Sequence, residues 1–248
     1  KVTYTLSGGK AGDSATLFVT IASTNYEDAT VNVVITLTAR DNQVELRITG
    51  GTTVVYGQTL ALNTSGGSGS GAVTYTVTNG TGEATIVDGS KLHPTKAGTV
   101  SVTATKSGGD NYEDVTSAAK EITIGRADYN GPASKTVNIV KGRSTAQTGT
   151  LTAADFFPEG QMPDGAKITD AVPDSIHSNM MSTAGAGASG DFIYASKMNI
   201  TAASNENWTI TISSKNYTDI TGTLTFKLVD KTDVSAQITF PNGTLTYN

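Results

Sequence analysis

Trp208-Thr209-Ile210-Thr211-Ile212-Ser213-Ser214-Lys215-Asn216-Tyr217-Thr218-Asp219 runs into Ile220-Thr221-Gly222-Thr223-Leu224-Thr225-Phe226-Lys227-Leu228, and this stretch decides the fold. Trp208, Ile210 and Ile212 alternate with threonines, and Leu224, Phe226 and Leu228 alternate with Thr225 and Lys227 after a polar turn. Period-two alternation puts every second side chain on one face, so the pattern predicts two half-buried strands joined by a turn. The phase of Trp208 places its ring in a core and takes it away from any exposed sugar-stacking role.

The turn recurs. Asn-Tyr-x-Asp stands at Asn25-Tyr26-Glu27-Asp28, at Asn111-Tyr112-Glu113-Asp114 and at Asn216-Tyr217-Thr218-Asp219, with tyrosines about 86 and then about 105 residues apart. That spacing is the length of a β-sandwich, about 100 residues, and is far too long for a solenoid repeat. Leu17, Val19 and Ile21 precede the first copy and align with Val100, Val102 and Ala104 before the second. Val31, Val33, Ile35 and Leu37 return after the first. The middle copy carries Gly108-Gly109-Asp110 in addition and slips by one before Ile122 and Ile124, so a bulge is expected there. Ile48 to Gly57 matches Ile238 to Tyr247, which marks an opening strand.

The predicted class is all-β, a tandem of immunoglobulin-like β-sandwiches. Residues 1–41 read as the closing half of one bead and 42–126 as a complete bead. Residues 127–232 read as a second complete bead with a longer loop insertion over 153–190, and 233–248 as the first strand of a following one. The whole has the character of a piece of a longer array. An isolated three-stranded fragment buries little apolar surface. Residues 234–247 of one molecule are therefore expected to complete residues 1–38 of another by strand addition, head to tail. Ser65 to Gly71 and Ala184 to Gly190 read as mobile loops inside beads.

Composition agrees and excludes. The 248 residues are 37% hydrophobic and 16% charged, against about 45–50% and about 25% in ordinary globular chains. Roughly one residue in six is the β-branched Thr, which suits pleated surfaces. A net charge of −5 opposes nucleic-acid and anionic-membrane surfaces, and no apolar run is long enough to span a bilayer. Zero Cys and two His remove disulfides, thiolate metal sites and cysteine nucleophiles. No acid/base pair or nucleophile constellation stands out, so no enzyme, cofactor or metal site is expected.

Gly50-Gly51-Thr52-Thr53-Val54-Val55-Tyr56-Gly57-Gln58 with Ala97-Gly98-Thr99-Val100-Ser101-Val102-Thr103-Ala104 resembles the tandem bacterial immunoglobulin-like repeats of large surface proteins from Gram-positive gut bacteria. Val140-Lys141-Gly142-Arg143 and Asp155-Phe156-Phe157-Pro158-Glu159-Gly160 resemble a longer variant of those arrays. The resemblance implies a secreted, cell-surface chain acting as a non-catalytic spacer or adhesin stalk, whose partners are its neighbouring domains. It supplies no catalytic residue.

Two roles remain open for particular residues. The repeated Asn25, Tyr26 and Asp28, Asn111, Tyr112 and Asp114, and Asn216, Tyr217 and Asp219 read as structural, with the tyrosine hydroxyl holding a loop corner. Phe156, Phe157, Met162, Met180 and Met181 form a candidate ligand loop for a host glycan or protein, with a loop folded back on its own bead as the alternative. Calcium at the motif acids lacks the spaced Asp pattern. A Lys–Asn isopeptide bond from Lys120, Lys135 or Lys227 would require an inward-pointing Lys that no apolar pattern demands.

Overall fold

A computed structural model describes residues 9, 11–109, 111–175 and 179–231. Within them the regular secondary structure is strand apart from one 3-10 turn, and the strands form tandem immunoglobulin-like sandwiches. Residues 234–247, expected to complete residues 1–38 of another molecule, lie outside the described residues.

Among the described residues the first unit is a hairpin of β1 (Ser14–Ile21) and β2 (Ala29–Thr36). Its register pairs Ala15 with Ile35, Leu17 with Val33, Val19 with Val31 and Ile21 with Ala29, which makes one face wholly apolar.

The second unit uses β3 (Arg47–Thr49), β4 (Thr53–Val55), β5 (Leu60–Ala61), β6 (Asn63–Ser65) and β7 (Val73–Asn79). It continues with β8 (Glu83–Val87), β9 (Lys91–Lys96), β10 (Gly98–Lys106), β11 (Val115–Thr116) and β12 (Lys120–Gly125). One sheet runs β7–β10–β12–β4, with β11 also on β10 and β4 parallel to β12. Opposite lie β5–β9–β8 and the pair β3–β6. Val54, Leu62, Leu92, Val100, Val102, Ile122 and Ile124 close between them as one core.

The expected bulge is present. Thr105 faces Thr116 and Val102 faces Lys120, so the returning strand holds one residue more over that span. Ser117 absorbs it: its amide donates to the Ala104 carbonyl (2.8 Å) and its hydroxyl accepts from the Ala104 amide (3.0 Å).

The third unit holds β13 (Ser134–Val140), β14 (Thr148–Thr152) and the 3-10 turn Ala153–Phe156. After them come β15 (Lys167–Pro173), β16 (Met181–Ala186), β17 (Asp191–Ser196), β18 (Glu206–Ser213) and β19 (Ile220–Val229). Its sheets are β13–β19–β18–β15 and β14–β17–β16, the same layout as the second unit with β13 parallel to β19. Among the described residues seventeen buried ones form its core, Trp208 and Phe226 among them, so Trp208 takes the core position that its phase predicts.

Three expectations change. The stretch 153–190 is no loop insertion: β15 and β16 occupy the places of β7 and β8 in the second unit. Ala184 to Ala186 belong to β16, and only Gly187 to Gly190 turn, held by the Gly190 amide on the Gly187 carbonyl (3.2 Å). The loop 66–71 packs closely onto its own sandwich, with the Gly69 amide on Gln43 Oε1 (2.9 Å) and a Cβ at Gly66 colliding with the Glu45 carbonyl. Glycine is needed there for that close approach and for the positive φ of +84° at Gly66.

Candidate functional site

The repeated motif lies where one sandwich hands the chain to the next. β12 ends at Gly125, whose carbonyl accepts from the Tyr56 amide (2.9 Å). Two residues on, Ala127 has entered the third sandwich: its amide donates to the Asn216 carbonyl (3.0 Å) and its carbonyl accepts from the Thr218 amide (2.9 Å). Only Arg126 separates the two anchored residues. The link between them is one residue with two soft dihedrals of its own.

Side chains close the same junction. Tyr217 stands edge-on to Tyr56 of the second sandwich, with ring centroids 5.5 Å apart and planes at 78°. On its other side it stands edge-on to Tyr129 (5.4 Å, 89°), and Tyr129 meets Phe157 in the same way (5.4 Å, 87°). An aromatic chain thus runs from the rim of one core into the next, in the edge-to-face geometry that the ring quadrupoles favour. Burial, then the neighbouring phenols of Tyr56 and Tyr129, push the Tyr217 pKa above its ordinary value. Asn216 is buried, and its Oδ1 accepts from the Ala97 amide at the other sandwich's rim (3.0 Å).

The hydroxyl role expected for Tyr217 is replaced by a ring role. Among the described residues its phenol meets no hydrogen-bond partner; the Ser214 hydroxyl holds its amide instead (3.1 Å). The second copy makes the same backbone link. The Asp41 amide donates to the Asn111 carbonyl (3.0 Å) and the Glu113 amide to the Asp41 carbonyl (2.9 Å). Asp114 caps the Gly108 amide (2.9 Å), a turn role for one motif acid. Asn25, Tyr26 and Asp28 are exposed, and so is Asp219.

The candidate ligand residues separate. Phe156, Phe157, Met180 and Met181 are core residues, and only Met162 faces solvent. Thr152 and Asp155 fix the 3-10 turn that carries Phe156: the Thr152 amide donates to Asp155 Oδ2 (2.9 Å), and Lys135 Nζ sits 3.1 Å from Oδ1. Burial pushes the Asp155 carboxyl up, but the Thr152 amide and the Lys135 ammonium prevail and hold its pKa below the usual carboxylate value. Glu206 ties Met180 down, accepting its amide on Oε2 (3.1 Å) and the Trp208 indole N–H on Oε1 (3.1 Å). Met162 lines an open groove of about 420 Å³ with Ala153, Ala166, Lys167 and Asp191. Among the described residues Asp191 Oδ1 is buried without a hydrogen-bond partner.

The three lysines considered for a cross-link do other things. Lys120 donates to the Gly50 carbonyl (2.8 Å), Lys135 pairs with Asp155, and Lys227 is exposed.

No protein-family model matches the chain, and no curated protein matches it either. Among solved structures it is similar to the endo-fucoidan hydrolase MfFcnA4 from glycoside hydrolase family 107, at 16% identity and TM-score 0.26 over 89% of this chain and 34% of that one. It is similar to the protocadherin GammaB4 extracellular domain at 12% and 0.31, over 88% and 38%. Drosophila N-cadherin EC1-4 matches at 9% and 0.27, over 87% and 58%. The chain spans little more than a third of the first two. Likenesses at these scores carry no argument about activity, ligand or partner.

Proposed function

We propose that the chain is a non-catalytic extracellular spacer, residues 42–126 and 127–232 being whole sandwiches set in line at a stiff junction. The observation that carries this is the single residue, Arg126, between Gly125 and Ala127, each hydrogen-bonded into a different sandwich. Interfaces between domains ordinarily permit motion unless they are tightly held. Here backbone, amide and aromatic contacts fall on the same joint. The separate cores around Val102 and Ile210 support the two-bead division. A bacterial cell-surface setting rests on the resemblance of residues 50–58 and 97–104 to tandem surface repeats.

A binding role is favoured by one observation, the open groove that Met162 lines with Ala153, Ala166, Lys167 and Asp191. A glycan-array and host-protein screen on the whole chain separates the two. The spacer predicts no saturable binding. A ligand bound saturably by the chain and lost in Met162→Ser would replace it with the module.

A further inference from the structure

Three Asn-Gly pairs stand in the chain, Asn79-Gly80, Asn130-Gly131 and Asn242-Gly243, the last outside the described residues. Such a pair has a chemistry of its own. The glycine's main-chain nitrogen can close a five-membered ring on the side-chain carbonyl carbon of the asparagine, since no Cβ on the glycine obstructs the approach. The fold treats the two described pairs differently.

Asn79-Gly80 is exposed but tied. The Gly80 amide donates to the Thr99 carbonyl (3.2 Å), and Asn79 Oδ1 accepts from the Ala84 amide (3.1 Å). The first bond holds the proton that the nitrogen must lose, and the second holds the side chain that it must reach. Ring closure there waits on a local opening of the structure, with the free-energy cost that such openings carry.

Asn130-Gly131 is exposed and untied. The chain is fixed before it, where Ala127 bonds Asn216 and Thr218 and the Thr218 hydroxyl donates to Asp128 Oδ1 (3.0 Å). It is fixed again after it, where the Ala133 carbonyl accepts from the Thr223 amide (2.9 Å). Between these anchors, among the described residues, no hydrogen bond falls on the Asn130 side chain or on the Gly131 amide, and neither residue lies in a strand. Packing nevertheless demands the glycine. A Cβ on Gly131 would collide with the Tyr129 ring, the ring that stands edge-on to both Tyr217 and Phe157. The aromatic chain of the joint thus requires the residue that makes Asn130 reactive.

We propose that Asn130 is a site of spontaneous deamidation at the joint between the second and third sandwiches. The Gly131 nitrogen loses its proton and attacks Asn130 Cγ. A new C–N bond forms, the bond from Cγ to the side-chain nitrogen breaks, and that nitrogen leaves as ammonia with the proton. Water then opens the succinimide at either carbonyl, leaving aspartate or isoaspartate. Either product places a negative charge next to Tyr129, and isoaspartate routes the main chain through the side-chain methylene. This goes beyond the spacer role: it rests on the bonds of one dipeptide, whereas the spacer rests on the Arg126 junction.

Peptide mapping by mass spectrometry of the whole chain, incubated at mildly alkaline pH with and without denaturing urea, tests it. In the folded chain Asn130 is expected to gain the mass of an amide-to-acid conversion, as both aspartate and isoaspartate, at least tenfold faster than Asn79. In urea, where the bonds to Thr99 and Ala84 are gone, the Asn79 rate is expected to rise to that of Asn130. An Asn130 that keeps its amide, or that reacts no faster than Asn79 in the folded chain, overturns the proposal, as does a lead over Asn79 that urea leaves unchanged. The wild-type chain serves throughout, so the result does not depend on whether a variant folds.

Discussion

Tyr217 stands edge-on to Tyr56 across the junction of the second and third sandwiches, 5.5 Å between ring centres, with Tyr129 on its far side at 5.4 Å. The ring is shared by two cores, and its hydroxyl carries none of the load. Tyr217→Phe is therefore expected to move the urea midpoint by less than the equivalent of about 0.5 kcal/mol. Tyr217→Ala removes two aromatic pairs at about 0.5–1.5 kcal/mol each beyond lost burial. Equal destabilisation by Phe and Ala would return the role to the hydroxyl.

Asn216 fastens the same joint by a different bond. Asn216→Ala leaves the Ala97 amide without its acceptor at a part-buried site, a loss of about 1–3 kcal/mol. Because Ala97 belongs to the other sandwich, calorimetry of the variant should show the second unit's melting shifted as well as the third's. A shift confined to the third would mean that the amide contact couples nothing.

Gly108 is expected to tolerate no side chain. A Cβ there would collide with the Tyr112 carbonyl, which forms part of the turn that meets Asp41. Gly108→Ala should destabilise the second sandwich by about 1–3 kcal/mol through overpacking, while Gly142→Ala, with open space around it but a φ of +63°, costs only the backbone term, about 1 kcal/mol. Comparing the two by urea denaturation separates crowding from conformation.

Asp155 ties stability to acid. Its folded pKa lies below the unfolded value of about 4. The carboxylate's contribution is therefore present above that unfolded value and is lost as pH falls through the folded one. Asp155→Asn should melt lower than the wild type at neutral pH, with the gap closing below about pH 4. A gap that persists undiminished in acid would show that the ionised form is not what Thr152 and Lys135 hold.

Much of this was legible in the residues. Alternation around Trp208 and Phe226 gave both strands of the closing hairpin and their buried face, and the slip after Gly108-Gly109-Asp110 located the Ser117 bulge. Stretches without alternation misled. Ala184-Gly185-Ala186 is a strand because β17 pairs with it, and small residues carry no period to announce that. Phe156 and Phe157 resembled surface bulk because the Thr152–Asp155 turn that tucks them inward is a local bond, which hydropathy does not register. The motif tyrosine was found as a repeat, but its partner Tyr56 lies about 160 residues away, and only the packing of two sandwiches brings the rings together.

The stiffness of the junction is the central claim, and the Cys-free chain suits its direct measurement. Spin labels on Thr85→Cys and Thr150→Cys, exposed positions in the second and third sandwiches, report one interdomain distance by double electron–electron resonance. A single narrow distribution is expected, broadening when Tyr217→Ala is added. A broad wild-type distribution, or one that the Tyr217 substitution leaves unchanged, would contradict a junction locked by Tyr56, Tyr217 and the Arg126 link.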